Sequence, residues 1–218
     1  MKTHLYSAAI VAGASAASVL AAPTIVNGDF NGTPSIASAP AGWDIVMATP
    51  DVVNAFGPFN NTGIGWTASP NGGTFVRTNG VGNEQTEAIS QVVTGFEAGG
   101  TYRFDFSVTN LGFRNAGNGA WSGFDGFYQF FADGTLIGTS QTVSKQASSS
   151  DAIVWEAASI EFVAVAESFT LEIRGETVGA AFEIAYLGID GVSASLVPAP
   201  GAAVLLGLGG LTATRRRR

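Results

Sequence analysis

The chain contains one histidine and no cysteine, and this limits the chemistry that its side chains can perform. The histidine, His4, lies near the start of the sequence, inside a stretch that reads as an export signal. A Ser-His-Asp triad needs an imidazole base, a thiol nucleophile needs cysteine, and zinc sites take ligands of both kinds. A Gly-x-Gly-x-x-Gly phosphate loop before a helix does not occur either. The composition therefore argues against most classes of enzyme.

Glycoside hydrolysis is the reaction that the remaining side chains could support, because it needs only two carboxyl groups on either side of a bond. The available acids are Glu84, Glu87, Asp105, Asp125 and Glu172. A chain with 17 acidic residues brings some of them together by chance, so their presence is no evidence of catalysis. We expect no enzymatic activity and keep a carboxylate-pair hydrolase as the least favoured alternative.

Sugar binding needs an exposed aromatic ring, which stacks on the C–H face of the sugar, and planar polar groups that hold its hydroxyls. The Gly/Asn-rich residues 110–126 supply Arg114, Asn115, Asn118, Trp121 and Asp125. A second set consists of Trp66, Arg77, Glu84 and Gln85. The alternative is that Trp66 and Trp121 only cover the edge of the domain. Trp43 and Trp155 lie within strand-like patterns and are expected in the core.

Alternating apolar and polar residues predict half-buried antiparallel strands. Residues 102–108 alternate in this way, as do residues 160–162 and 169–173. Asp133-Gly134 separates two strand-like runs and is a strong hairpin signal. Further strands are expected at residues 24–30, 74–77, 87–93, 153–156 and 183–195. With many glycines and no amphipathic helix, the sequence predicts an all-β, antiparallel β-sandwich of the jelly-roll type.

The two ends of the chain carry targeting signals. Lys2 precedes an uncharged stretch rich in Ala, Val and Leu, which ends in Val19-Leu20-Ala21, and this is typical of a secretory signal helix cleaved after Ala21. At the other end, two prolines break the chain before a short apolar run that we expect to form a helix. The run is shorter than the roughly 20 residues of a transmembrane helix, but its trailing arginines would stay on the cytoplasmic side. We predict transient membrane contact.

This tail resembles the PEP-CTERM sorting signal of Gram-negative-type bacteria. The resemblance rests on Val197, Pro198, Pro200, Gly201, Arg215, Arg216, Arg217 and Arg218, together with the Leu/Gly-rich stretch between them. Ala199 stands where the usual signal has glutamate. The resemblance implies that an exosortase processes the tail near the prolines, after signal peptidase has removed residues 1–21. It also implies a final location at the cell surface or in the extracellular matrix, often beside extracellular polysaccharide.

The charge of the processed chain excludes nucleic acid as a partner. Removing Lys2 and the four terminal arginines from the 10 basic residues leaves 5 against 17 acidic ones, a net charge of −12. Such a surface repels polyanions and attracts divalent cations.

Residues 22–195, between the signal and the tail at 196–218, resemble the galactose-binding-like jelly rolls that include carbohydrate-binding modules. The matching segments are residues 26–30, Gly42-Trp43, residues 88–93 with 100–104, and residues 189–193. The resemblance implies a structural calcium that ties the first strand to the last, held by Asp29 and Asp190. The alternative is that both are ordinary strand-end acids. We expect a non-catalytic surface protein that binds polysaccharide, or a structural matrix protein without a small ligand.

Overall fold

The computed structural model describes residues 22–59, 64–82 and 86–198. Its twelve strands are β1 (Asp44–Met47), β2 (Asp51–Val53), β3 (Phe75–Gly80), β4 (Ala88–Thr94), β5 (Thr101–Asn110), β6 (Phe113–Arg114), β7 (Trp121–Ser122), β8 (Gly126–Ala132), β9 (Thr135–Thr139), β10 (Glu156–Val163), β11 (Ser168–Thr177) and β12 (Ala185–Leu196). Every strand pairing is antiparallel, and the described residues contain no helix. The all-β prediction is confirmed. The predicted signal helix and C-terminal helix fall outside the described residues.

Two five-stranded sheets form the sandwich. The first sheet has the order β1-β4-β11-β8-β9, and the second has the order β10-β5-β12-β3-β2. From β4 onwards the chain passes repeatedly from one sheet to the other, as in a jelly roll. A separate two-stranded hairpin, β6–β7, lies within the Gly/Asn-rich residues 110–126.

The main core lies between the two sheets and is rich in phenylalanine. Phe104 stacks on Phe162 with ring centroids 4.8 Å apart, and Phe96 lies 4.8 Å from Phe169. Phe104, Phe162 and Phe169 occupy inward positions of β5, β10 and β11, whose outward positions are mostly polar, which is the alternation read from the sequence. Phe96 comes from the loop after β4. Trp43 is buried in this core, as predicted.

A smaller apolar cluster covers the outer side of the second sheet. Its buried members are Val53, Trp66, Phe75, Leu111 and Ile153, and Phe59, Ile64, Trp155 and Tyr186 pack against them. Loops rather than a third sheet supply most of these residues. Because they cover the outer side of β2, β3 and β12, side chains that would otherwise face water there are buried.

The hairpin prediction at Asp133-Gly134 is confirmed. The two residues join β8 to β9 with φ of 46° and 78°. Positive φ at both central positions is the geometry of a type I′ turn, which Asp-Gly favours.

Two of the predicted strands are wrong. In residues 24–30 only Thr24 forms a bridge, to Thr94, and the chain then turns. Asn27 and Phe30 take φ of 50° and 48°, which no strand allows. Residues 153–155 are not a strand either. Ile153 donates to the carbonyl of Gly65, so this segment pairs with a loop, and β10 begins only at Glu156.

Candidate functional site

Arg77 lies on the outer side of the second sheet, on the strand next to the edge strand β2. It sits on β3, where its guanidinium Nη1 donates to Oδ2 of Asp51 on the neighbouring β2 at 2.5 Å. The rings of Phe59 and Tyr186 lie 4.3 and 5.3 Å from the guanidinium carbon. Arg77 and Asp51 are both buried. The cation is therefore held by one carboxylate and two ring faces, an arrangement that compensates a buried charge.

Trp66 does not offer the free ring that the sugar-binding hypothesis requires. Its side chain is 8% exposed and packs against Phe75, with ring centroids 6.3 Å apart. The indole nitrogen donates to the carbonyl of Leu111 at 2.9 Å. The alternative from the sequence, that Trp66 serves packing and not binding, therefore describes this residue, which is buried in the smaller apolar cluster.

Trp121 lies on the β6–β7 hairpin, opposite Arg114 in the strand register. Its indole nitrogen donates to the carbonyl of Gln146 at 2.8 Å, which fixes the orientation of the ring. The ammonium of Lys145 lies 5.4 Å from the ring centroid. The ring also packs so closely on Gly112 that a Cβ at that position would collide with it. Trp121 is thus half-buried, with neighbours on both the Lys145 and Gly112 sides.

Asp125 fixes the segment that carries Lys145. Its carboxylate accepts a hydrogen bond from the Lys145 backbone N–H at 2.9 Å and one from the Ser144 hydroxyl at 3.1 Å. Gly123 lies against both Lys145 and Tyr186. The segment that carries Lys145 is therefore close to the Tyr186 ring, which contacts Arg77. Arg114, Trp121 and Asp125, which were proposed from the sequence, therefore share one surface, and the buried Arg77 lies beneath its edge. Glu84 and Gln85 lie outside the described residues.

We call this surface the loop face. It consists of Tyr186 on the second sheet, the β6–β7 hairpin, residues 123–125 and residues 143–146, with the buried Arg77 beneath Tyr186. Phe113 of the hairpin stacks on Tyr186 with ring centroids 5.1 Å apart, which joins the hairpin to the sheet. Burial raises the pKa of Tyr186.

Glu87 is a buried carboxyl group beside the loop face. Its two oxygens accept the backbone N–H of Asn79 at 2.7 Å and the side-chain amide of Asn79 at 3.0 Å. Burial raises the pKa of Glu87 from 4.5 to about 7, and the charge of Asp51 adds to the rise. The hydrogen bond from Asn79 and the charge of Arg77 oppose it. This carboxyl group therefore titrates close to neutral pH.

Asp29 and Asp190 come together where the first loop meets the last strand. Val192 donates to the carbonyl of Gly28 at 2.9 Å, which ties the two segments. The fully buried Asp190 accepts hydrogen bonds from the Ser69 hydroxyl and the Gly191 backbone. Burial raises its pKa to about 6, and the negative charge of Asp29 contributes to the rise.

These oxygens are of the type that calcium takes, namely carboxylates and a hydroxyl near backbone carbonyls. The site has only two acidic side chains. Residues 22–59, 64–82 and 86–198 contain no group of three or more Asp, Glu, His or Cys side chains close enough together to hold a metal ion.

Only the first two residues of the predicted sorting signal are among the described residues. Val197 and Pro198 follow β12, and the Val197 N–H donates to the carbonyl of Thr101 at 2.8 Å. Pro200, Gly201 and the four arginines lie outside the described residues, as does the predicted signal peptide. The part of the chain that is described has no helix capable of spanning a membrane.

Several residues of the site carry no sequence signal. Strand pairing brings Asp51, Asn79 and Tyr186 together from separate segments. Lys145 lies in a loop and is placed by its contacts with Asp125 and Gly123. The alternation of Phe75, Arg77 and Asn79 along β3 is the one pattern that could have placed Arg77 and Asn79 on the same side of the sheet.

No protein-family model matches the chain, and neither does any curated protein. Solved structures do match it. A Stig cyclase from Fischerella sp. TAU, in complex with (3Z)-3-(1-methyl-2-pyrrolidinylidene)-3H-indole, is 17% identical with a TM-score of 0.56, and the match covers 82% of this chain and 98% of that one. A cyclase from the same organism, in complex with 4-(1H-indol-3-yl)butan-2-one, is 18% identical over the same shares, also with a TM-score of 0.56. At these identities the similarity shows the fold alone.

Sugar-related structures occur among the weaker matches. One is a cycloisomaltooligosaccharide glucanotransferase from Paenibacillus sp. in complex with cycloisomaltoheptaose. It is 13% identical with a TM-score of 0.40, and the match covers 76% of this chain and 18% of that one. A TM-score this low carries no argument about function.

Proposed function

We propose that this chain is an exported, surface-associated module that binds extracellular polysaccharide through the loop face, without catalysis. The single observation that carries the proposal is the grouping of Arg114, Trp121 and Asp125 on one surface, together with Lys145 and Tyr186. These residues come from the sheet, from the hairpin and from two loops. Rings beside planar polar groups are what a sugar needs.

The geometry of the loop face favours binding, because its polar groups are fixed before a ligand arrives. The Trp121 ring is oriented by Gln146, and Asp125 holds the backbone of Lys145. Fixed side chains lose little conformational entropy when a ligand binds. A flexible, solvated loop would not have this advantage.

The surroundings of Glu87 support a non-catalytic role. Burial raises the pKa of Glu87 to about 7, a value that suits a general acid at neutral pH. It is almost completely buried, and both of its oxygens accept hydrogen bonds from Asn79. A glycosidic bond cannot reach this carboxyl group in the described arrangement.

A structural calcium ion is a second part of the proposal. Asp29 and Asp190 would hold it, and the ion would neutralise two carboxylates that otherwise repel each other. Its contribution would be to fasten the first loop to β12, so it would stabilise the fold without taking part in binding.

The delivery route is also proposed. Signal peptidase would remove residues 1–21, and an exosortase-type enzyme would act near Pro198 and Pro200. The arginines would hold the tail at the inner membrane until then. The product would lie on the surface or in the matrix of a Gram-negative-type bacterium.

A glycan array probed with the purified full-length protein tests the binding proposal. We expect retention on one or more neutral polysaccharides and a loss of that retention in Trp121→Ala. Asp105→Asn, a substitution on the exposed surface away from the loop face, is the matched control and should bind like the wild type. If the wild-type protein is retained on no glycan, the proposal is wrong.

A further inference from the structure

The tryptophans are not the most accessible rings near the loop face. Trp66 is buried and Trp121 has neighbours on two sides. Phe124 is 42% exposed and Phe182 is 75% exposed. A large apolar side chain gains nothing for folding when water surrounds most of it. Core packing therefore does not account for Phe182, and its ring is accessible to a ligand.

The backbone at Phe182 adds a second observation. Its φ is 73°, in the left-handed region that a bulky residue rarely adopts and that carries an energetic cost. Conformations of this kind persist only where the surroundings enforce them, and they concentrate at functional sites.

The turn around Phe182 is held by several hydrogen bonds. The Glu183 carboxylate accepts the Ala180 N–H at 2.6 Å, and the Glu183 N–H donates to the Ala180 carbonyl at 2.9 Å. The Gly179 N–H donates to the Thr177 hydroxyl at 3.0 Å. Phe182 itself donates to the carbonyl of Val81 at 3.2 Å. The strained residue is thus built into a fixed turn that presents its ring to solvent.

Phe124 belongs to the loop face, and Phe182 borders it. The Phe124 N–H donates to the carbonyl of Ile184 at 2.9 Å, and the Val178 N–H donates to the carbonyl of Asp125 at 3.0 Å. Residues 178–184 therefore run beside residues 124–125, which belong to the loop face. We call Phe124, Val178 and Phe182 the rim. Val178 is also more than half exposed, so the rim is an apolar border beside polar groups.

We propose that Phe182, together with Phe124, supplies the ring surface on which a pyranose of a neutral polysaccharide stacks. Two exposed rings beside Asp125 and Lys145 match a ligand that has an apolar C–H face and hydroxyl groups at its edge. Charge decides against an acidic polymer, because the chain has 17 acidic and 10 basic residues and the cation of Arg77 is already paired with Asp51. The inference rests on the proposed function, and it assigns the stacking contacts with the sugar to Phe182 and Phe124.

Affinity electrophoresis of the full-length protein tests this assignment, with soluble β-glucan, arabinoxylan, dextran and galactan as the probes. We expect Phe182→Ala to weaken retention about fivefold, because the substitution removes one stacking contact with the sugar. Phe182→Tyr keeps a ring and should bind like the wild type. Phe182→Gly removes both the ring and the backbone strain, and it should bind as weakly as Phe182→Ala. Val165→Ala alters a 72% exposed apolar residue in the turn between β10 and β11, at the opposite end of the sandwich, and should have no effect.

The outcomes separate the inference from the proposed function. If Phe182→Ala or Phe182→Gly binds like the wild type while Trp121→Ala does not, the assignment to Phe182 is wrong and the loop face remains the binding surface. If the wild type is retarded by none of the probes, both proposals fail. Because Phe182 is mostly exposed, its variants should fold, and equal thermal unfolding temperatures confirm that a binding loss is local.

Discussion

Asn79 donates two hydrogen bonds to Glu87, one from its backbone at 2.7 Å and one from its side-chain amide at 3.0 Å. The side-chain oxygen of Asn79 is buried and has no hydrogen-bond partner among the described residues. Both donors favour the ionised form of Glu87, yet burial outweighs them and its pKa is about 7. The fold therefore holds a carboxyl group whose ionisation costs stability within the physiological pH range.

The pH dependence of stability follows from this pKa. The unfolded carboxyl group titrates near 4.5 and the folded one near 7, so the folded state holds the extra proton between these values. Stability should therefore fall as pH rises from 4.5 to 7 and level off above, by about 3 kcal/mol at most. Urea unfolding at several pH values measures this.

The control for the pH experiment is Glu87→Gln, which cannot ionise. Asp190 also has a raised pKa, so part of the decline should persist in the variant. The difference between wild type and variant isolates Glu87. An identical slope between pH 5 and 7 in both proteins would contradict the burial of this charge.

The buried ion pair of Arg77 and Asp51 predicts a large effect of substitution. Asp51→Asn leaves the buried guanidinium without its counter-charge, which should lower the free energy of unfolding by about 3 kcal/mol. Arg103 and Asp105 form a pair at 2.9 Å with both side chains more than 40% exposed. Asp105→Asn should therefore cost less than about 0.5 kcal/mol. Urea unfolding measures both effects. An equal loss of unfolding free energy in Asp51→Asn and Asp105→Asn would show that burial does not set the strength of the Arg77–Asp51 pair.

Calcium should stabilise the protein if Asp29 and Asp190 hold it. Adding millimolar calcium after treatment with a chelator should raise the thermal unfolding temperature, because a ligand that binds only the folded state adds to its stability. Asp29→Asn should remove this increase. Since Asp29 is exposed, this variant should be folded in the absence of calcium. An unfolding temperature that does not respond to calcium in the wild type would exclude the ion.

Neutralising the arginines of the C-terminal tail should change where the protein is found in the cell. Replacing Arg215, Arg216, Arg217 and Arg218 by glutamine removes the charges expected to hold the tail on the cytoplasmic side. We expect the variant to accumulate unprocessed in a strain that has an exosortase, as measured by cell fractionation and immunoblotting. Normal processing and normal location of the variant would refute the sorting role.

The strands of the main core were predictable because each one carries its own alternation. Residues 102–108 and 169–173 bury one side chain in two, and Asp133-Gly134 specifies the turn between β8 and β9. Short segments gave no such signal. β1 and β2 are four and three residues long, and the hairpin β6–β7 has two residues in each strand.

The candidate site was predictable only in part. Composition and turn residues drew attention to residues 110–126, and Trp121, Arg114 and Asp125 do lie together there. The contacts of Arg77 with Asp51, Phe59 and Tyr186 depend on the pairing of β2, β3 and β12 and on a loop that covers them. Phe182 was missed because sequence does not report a positive φ, and a phenylalanine near a strand reads as core.

Mapping backbone amide shifts of the full-length protein by NMR, while a retained neutral oligosaccharide is added, tests binding at the loop face most directly. We predict perturbations confined to residues 112–125, 143–146 and 178–186. The turn at residues 163–167, at the opposite end of the sandwich, should not change. Perturbations confined to that opposite end, or none at saturating ligand, would contradict the loop face as the binding surface.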